Sequence, residues 1–323
     1  MGAQISQKPL SSSSDDPGSY YGQPVIKPPV WKQLISFYLF SGGLAGASAP
    51  LAAAAELSGN HTLARRAWLG ALIGAGVSQV LLIWDLGRPA RFLNMMRVVK
   101  VSSPMNMGVW ILSGAGTAIG FASLRSWLGL FPRLGRGSAA AAAVLGPALS
   151  TYTAVLFADT AVPAWHEARD ELPWLFASSA TASAGAFAAA TTPLEAAAPV
   201  RRLAVGGVVA ELVAGEVMER RLGRLISEPY RSGRAGWLTR GSRALNAVGA
   251  GLVAASGVER LGDRRRACAA AGGGLIMLAA VCTRAGVFEA GKASARDPKY
   301  TVIPQRQRLE EGRAHRQHEQ VER

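Results

Sequence analysis

Apolar residues along this chain come in blocks about as long as a membrane is thick, separated by short polar, mostly basic stretches. A transmembrane helix needs about 20 consecutive, mostly apolar residues. Six blocks meet that requirement: residues 34–57, 67–86, 107–130, 139–162, 172–192 and 267–288. Two more are weaker: residues 203–217 contain Glu211 and Glu216, and residues 244–258 form a short block. Both are flanked by arginines and are too apolar for a loop, so the pattern predicts eight helices. No alternation of period two competes with this reading. The fold expected is all-α, a polytopic integral membrane bundle. It divides into a polar N-terminal tail (1–33), an eight-helix transmembrane domain (34–288) and a charged C-terminal tail (289–323).

Only 17% of the residues are charged, against about 25% in a soluble domain. Ala and Gly dominate the apolar blocks, and small residues let helix backbones approach closely in lipid. The pairs Gly42 and Gly46, Gly70 and Gly74, and Gly116 and Gly120 have the four-residue spacing of such contacts. The net charge of +14 does not point to nucleic acid, because the Lys and Arg residues lie almost entirely between apolar blocks. There they set topology and meet anionic lipid. With eight spans, 23 Lys and Arg fall on the side of the termini and 11 on the other. That excess favours cytoplasmic termini in a multi-pass protein of the plasma membrane. The first thirty residues lack the basic start and apolar core of a cleaved signal, so the first block is expected to act as an uncleaved anchor. Both tails read as disordered or partner-dependent, the end after Pro304 above all.

Several chemistries are excluded by residue type. Cys268 and Cys282 cannot supply the four ligands of an iron–sulfur cluster. The histidines, at positions 61, 166, 315 and 318, lie outside every apolar block, so no b-type haem is held within the bundle. No phosphate-binding glycine loop, Ser-His-Asp arrangement or zinc-ligand spacing is present. What remains are polar groups inside or beside the spans, which are costly in lipid and therefore functional candidates. Tyr38 lies about four residues into the first block, and Asp85 closes the second. Asp159 is expected one turn from the end of the fourth helix, with Tyr152 seven residues deeper on the same face. Glu211 is expected near mid-membrane, Glu216 within reach of Arg220 at i,i+4, and Arg284 close to the end of the eighth helix. All but Glu211 and Tyr152 fall in the half nearer the termini, which suggests a site open to one face. The gap at 84–97, WDLGRPARFLNMMR, puts Asp85, Arg88, Arg91 and Arg97 at its mouth.

Four stretches carry a resemblance. They are FYLFSGGLAGASA in the first helix, WDLGRPARF and SPMNMGVW after the second, YTAVLFADTAVPAWHEA closing the fourth, and TRAGVFEAGKASARDPKYTVIPQR near the end. With these the chain resembles the NrfD family, the membrane subunits of polysulfide-reductase-type oxidoreductases. The resemblance implies a metal-free eight-helix anchor that exchanges electrons between an exchangeable quinone (menaquinone or ubiquinone) and a docked subunit. That partner is a 4Fe-4S ferredoxin-like protein, which serves a molybdopterin catalytic subunit. The resemblance implies quinone binding by Tyr152, with Tyr38 where some members carry His and Asp85 bordering the entrance. Tyr38 is a departure, since a phenol is a poor proton donor at neutral pH. Asp159, His166 and Glu211 are expected to move protons, His being the side chain that changes charge near neutral pH. Arg88, Arg91 and Arg97 are expected to meet acidic groups on the iron–sulfur partner. Members commonly dock their partners outside the cytoplasm, whereas the charge count favours cytoplasmic termini. Two other readings stay open: a proton- or ion-coupled transporter using Glu211 and Glu216, and a passive anchor without quinone chemistry. The lack of an inverted repeat speaks against the transporter.

Overall fold

The computed structural model describes residues 25–27, 29, 31–86 and 90–321. In chain order its helices are α1 (Leu34–Leu57), α2 (His61–Asp85), the short α3 (Ala90–Met95), α4 (Pro104–Leu128), α5 (Pro132–Ala158) and the short α6 (Pro163–Glu167). They continue as α7 (Leu172–Thr191), α8 (Ala198–Arg221), α9 (Gly223–Arg231), α10 (Gly233–Ala255), α11 (Arg264–Arg296) and α12 (Lys299–Val321). No strand occurs among the described residues, so the all-α reading stands. Each of the eight apolar blocks forms a long helix. Five of these, α1, α2, α4, α5 and α11, are long and apolar enough to cross a membrane; α7, α8 and α10 do not reach that apolarity.

Capping chemistry explains where several helices begin and end. Asn60 starts α2 by accepting the Leu63 N–H at 3.1 Å, six residues before the apolar block opens. Ser103 caps α4 and Pro104 occupies its first turn, where a missing N–H costs nothing. Gly129, at φ 69°, closes α4 in the left-handed conformation that glycine adopts most readily. The largest departure is at the C-terminus. The eighth block was expected to end at 288, followed by a charged tail read as disordered or partner-dependent. Instead α11 runs on to Arg296, and α12 follows as a helix.

The long helices sort into two groups of four. In the first, α1 packs on α2 and α5, and α4 packs on both α2 and α5. In the second, α7 packs on α8 and α11, and α10 packs on both α8 and α11. The two groups meet along α1, α5 and α7, with α11 also touching α1. Where α1 crosses α5, the backbones are in direct contact. A Cβ built on Gly46 would lie 2.5 Å from the Gly146 carbonyl oxygen and 2.8 Å from the Ser150 nitrogen. With no hydrophobic drive between helices in lipid, such close approach supplies the dispersion that holds them together. Gly74 meets α1 in the same way, against Ser41 and Ala45. Gly120, read from the sequence as a packing residue, faces open space.

Candidate functional site

The face bearing the termini is organised by α6, the segment VPAWHE after α5. Trp165 is fully buried and stacks on Phe157, ring centroids 4.3 Å apart and planes 8° from parallel. Trp31 and Phe288 extend this aromatic cluster at 5.9 and 6.1 Å from Trp165. The Trp165 indole N–H donates to the Val287 carbonyl at 2.7 Å. The Ala164 N–H donates to Ser294 Oγ at 3.2 Å, and the Ala164 carbonyl accepts from the Tyr230 hydroxyl at 2.8 Å. Burial pushes the Tyr230 hydroxyl above its ordinary pKa, so it stays a donor. A side chain at Gly291 would overlap the indole of Trp165. Two motifs over a hundred residues apart are thus one physical unit, a connection that hydropathy alone does not carry.

Beside this unit, between the start of α4 and the end of α5, lies a groove of about 430 Å³. Tyr152 and Asp159 both line it, as their seven-residue spacing led us to expect. The other walls include Pro104, Met107, Ile111 and Val155, with Val101 and Ser102 from the loop before α4. Tyr152 is buried against Gly108, where any Cβ would overlap its ring. Asp159 is exposed and stands just beyond α5, its N–H bonded to the Val155 carbonyl at 2.9 Å, rather than one turn inside the helix. His166 is exposed, with Nδ1 3.1 Å from the Ala158 carbonyl. A carbonyl only accepts, so Nδ1 carries the hydrogen and Nε2 is left for solvent or a proton.

The other expected residues do not converge here. Tyr38 is buried in the α1 core, where its carbonyl accepts from the Ser41 and Ser78 hydroxyls, each at 3.2 Å. Asp85 is half-buried at the last position of α2. Neither lines the groove. Arg91 and Arg97 are exposed, and one Arg91 nitrogen lies 3.3 Å from the Leu86 carbonyl. Arg88 lies outside the described residues.

Glu211 belongs to a separate polar seam inside the second group of helices. It is buried, and its Oε1 accepts from the Thr283 hydroxyl at 2.6 Å. Thr283 also meets the Ser242 hydroxyl at 2.6 Å. Glu211 Oε2 and both amide atoms of Asn246 are buried without a partner among the described residues. They border a cavity of about 40 Å³ that Ser242, Thr283 and Glu219 also line, enough for water. Glu219, itself buried, pairs with Arg231 at 2.7 Å and with Arg243. Arg284 completes the seam and was misjudged from sequence. Because α11 continues to Arg296, Arg284 sits well inside it, fully buried rather than at an interface. It donates to the Leu39 carbonyl at 3.0 Å, to Ser179 Oγ at 2.9 Å and to the Ala280 and Phe176 carbonyls at 3.2 and 3.3 Å. Glu216 makes the expected pair with Arg220, at 2.7 Å on the surface.

Among the described residues, no group of three or more His, Cys, Asp or Glu is placed to hold a metal ion. A search of curated proteins finds no match. The family model for polysulphide reductase, NrfD, matches residues 23–198. That span covers more than half of the chain: all of α1 to α7, including the groove with Tyr152 and Asp159, and Trp165 itself but not its partners on α9 and α11. The chain therefore belongs to the NrfD family, whose members are generally quinone-interacting membrane subunits of oxidoreductases.

Proposed function

We propose that this chain is the eight-span membrane anchor of a multi-subunit oxidoreductase, with quinone or quinol bound in the groove between α4 and α5. Electrons pass between that groove and a docked 4Fe-4S ferredoxin-like subunit, which serves a molybdopterin catalytic subunit. The observation that carries the reading is that Tyr152 and Asp159 share one apolar-walled groove at the end of two apolar helices. Its volume falls in the range of about 300–1,000 Å³ typical of small-molecule sites. Pro104, Met107, Ile111 and Val155 suit a ring and the start of an apolar tail, and the Tyr152 phenol offers one directed hydrogen bond.

A quinone supplies two-electron, two-proton chemistry when bound. The chain's own groups do the rest. Tyr152 donates to a head-group oxygen and fixes the ring's orientation. Asp159, exposed at the mouth, takes or gives a proton there, and His166 Nε2 relays it to water. Tyr38 and Asp85 stand off the groove, so the reading rests on Tyr152 and Asp159. The exposed Arg91 and Arg97, together with Arg88, are the proposed meeting point for acidic groups on the iron–sulfur partner.

The test is quinone-linked turnover of the purified complex. Tyr152→Phe is expected to lower it about tenfold, the worth of a buried hydrogen bond. Asp159→Asn is expected to lower it about 100-fold through lost proton transfer. Unchanged turnover in both variants sinks the assignment.

A second reading rests on the unpartnered Glu211 oxygen and Asn246 amide beside a water-sized cavity: a proton- or ion-coupled transporter working through the second group of helices. Purification in mild detergent separates the two. Co-purifying iron and extractable quinone support the redox subunit. A lone, quinone-free chain that moves protons in a Glu211-dependent manner supports transport.

A further inference from the structure

At the end of the first group opposite the Tyr152 groove, the ends of α1, α2, α4 and α5 enclose a crevice of about 700 Å³. All four helices are long and apolar enough to cross a membrane, so this end lies at the level of lipid headgroups. Its polar wall carries Arg65, Arg125, Arg136 and His61. Glu56 is the one acid among its described lining residues, and it is already engaged: it pairs with Arg125 and accepts the Trp68 indole N–H at 2.8 Å. The guanidinium of Arg65 is fixed at the wall by a 3.1 Å bond from its Nε to the Ser126 carbonyl. Positive charge thus exceeds negative here, with the Arg65 guanidinium held in place at the wall, a combination that calls for an anion.

The rest of the lining is mainly apolar: it includes Ala139, Ala140 and Ala143 of α5 and Ala53 and Leu57 of α1, and Leu57 is 90% exposed. A soluble anion has no use for such a lining, and a neutral quinone head group does not balance the excess guanidinium charge. We propose that this crevice is a binding site for an anionic phospholipid. The phosphodiester lies against Arg65, Arg125 and Arg136, and one acyl chain runs along the alanine face of α5. The site is independent of the quinone reading, being at the other end of the same helices.

The test is native mass spectrometry of the full chain purified in mild detergent. It is titrated with phosphatidylglycerol, with phosphatidylcholine of the same acyl chains, and with inorganic phosphate. One phosphatidylglycerol is expected to stay bound per chain under conditions that strip phosphatidylcholine. Arg136 is exposed, so its replacement leaves the fold intact. Arg136→Gln is expected to lower phosphatidylglycerol retention about fivefold, and Arg136→Lys to preserve it. Equal retention of the two lipids, or no change in Arg136→Gln, overturns the proposal. Displacement of phosphatidylglycerol by inorganic phosphate also overturns it, in favour of a free-anion site.

Discussion

The two groups of helices share one means of association and differ in another. Both approach through glycines until backbones touch, at Gly46 and Gly146 in the first and at Gly185, Gly207, Gly249 and Gly272 in the second, but all four helices of the first are apolar enough to span. The chemistry of the first is confined to its ends. In the second only α11 reaches that apolarity, and a polar seam runs beside its apolar core. Every buried charged residue among the described residues lies there or at its edge: Glu171, Glu211, Glu219 and Arg284. Lipid provides no hydrophobic drive to join helices, so tight backbone contact and hydrogen bonding must do it, and the second group uses both. Backbone contact leaves little freedom to vary but needs no desolvated charge. Polar contact costs desolvation and makes each partner dependent on the others.

The sharpest break of this comparison is Arg284→Met. It removes the side-chain donor to the Leu39 and Phe176 carbonyls and to Ser179 Oγ, and leaves Glu211 with less positive charge nearby. Unfolding of the purified chain in detergent should show a loss of about 3–5 kcal/mol. A loss below about 1 kcal/mol would mean that the polar seam does not hold the second group together. Next is Gly46→Leu, expected to cost about 3 kcal/mol by forcing α1 from α5. Gly120→Leu, which has the same motif spacing but faces open space, should stay within about 0.5 kcal/mol. Equal effects in the same unfolding assay would refute the packing account. Glu211→Gln keeps an acceptor for Thr283 and should change stability by about 1 kcal/mol or less. It should leave quinone-linked turnover unaltered, because Glu211 is not a groove residue.

The smallest effect concerns pH, at the joint between α6–α7 and α8. Arg221 bridges Asp170 at 2.5 Å and Glu171 at 2.7 Å. The hydrogen bond from Arg221, and then its charge, hold the Asp170 carboxyl below its usual 3.8. A depressed carboxyl stabilises the fold at pH values above the ordinary carboxylate range. That contribution is lost as pH falls through the depressed value. The pair is exposed, so the effect is small. Asp170→Asn should flatten the acid limb of the stability profile, and an unchanged limb would remove Arg221 from this role.

How much of this was legible beforehand depended on the kind of information. The bounds of α1 matched because its apolar block starts and stops with the helix. The start of α5 at Pro132 was missed by seven residues. Its first turns carry Arg133 and Arg136 and read as a loop, although an interfacial turn tolerates such charge. Missing the extension of α11 to Arg296 placed Arg284 near a surface when it is buried. The pairing of Tyr152 with Asp159 was legible because spacing on one helix fixes a shared face. The expectation that Tyr38 and Asp85 would join them rested on the resemblance and on depth. Depth along a span says nothing about which way a side chain points around it, nor which helices are neighbours. The contact between Trp165 and Gly291 was hidden for the same reason.

The length of α11 has a consequence of its own. Its 33 residues span about 50 Å, against a hydrocarbon layer about 30 Å thick. Its last turns are not left in open water: Ala290, Gly291, Ser294 and Ala295 are buried, with Gly291 against Trp165 and Ser294 accepting from the Ala164 N–H. A rod longer than the layer it crosses thus serves at its overhanging end as a post on which the connection after α5 is seated.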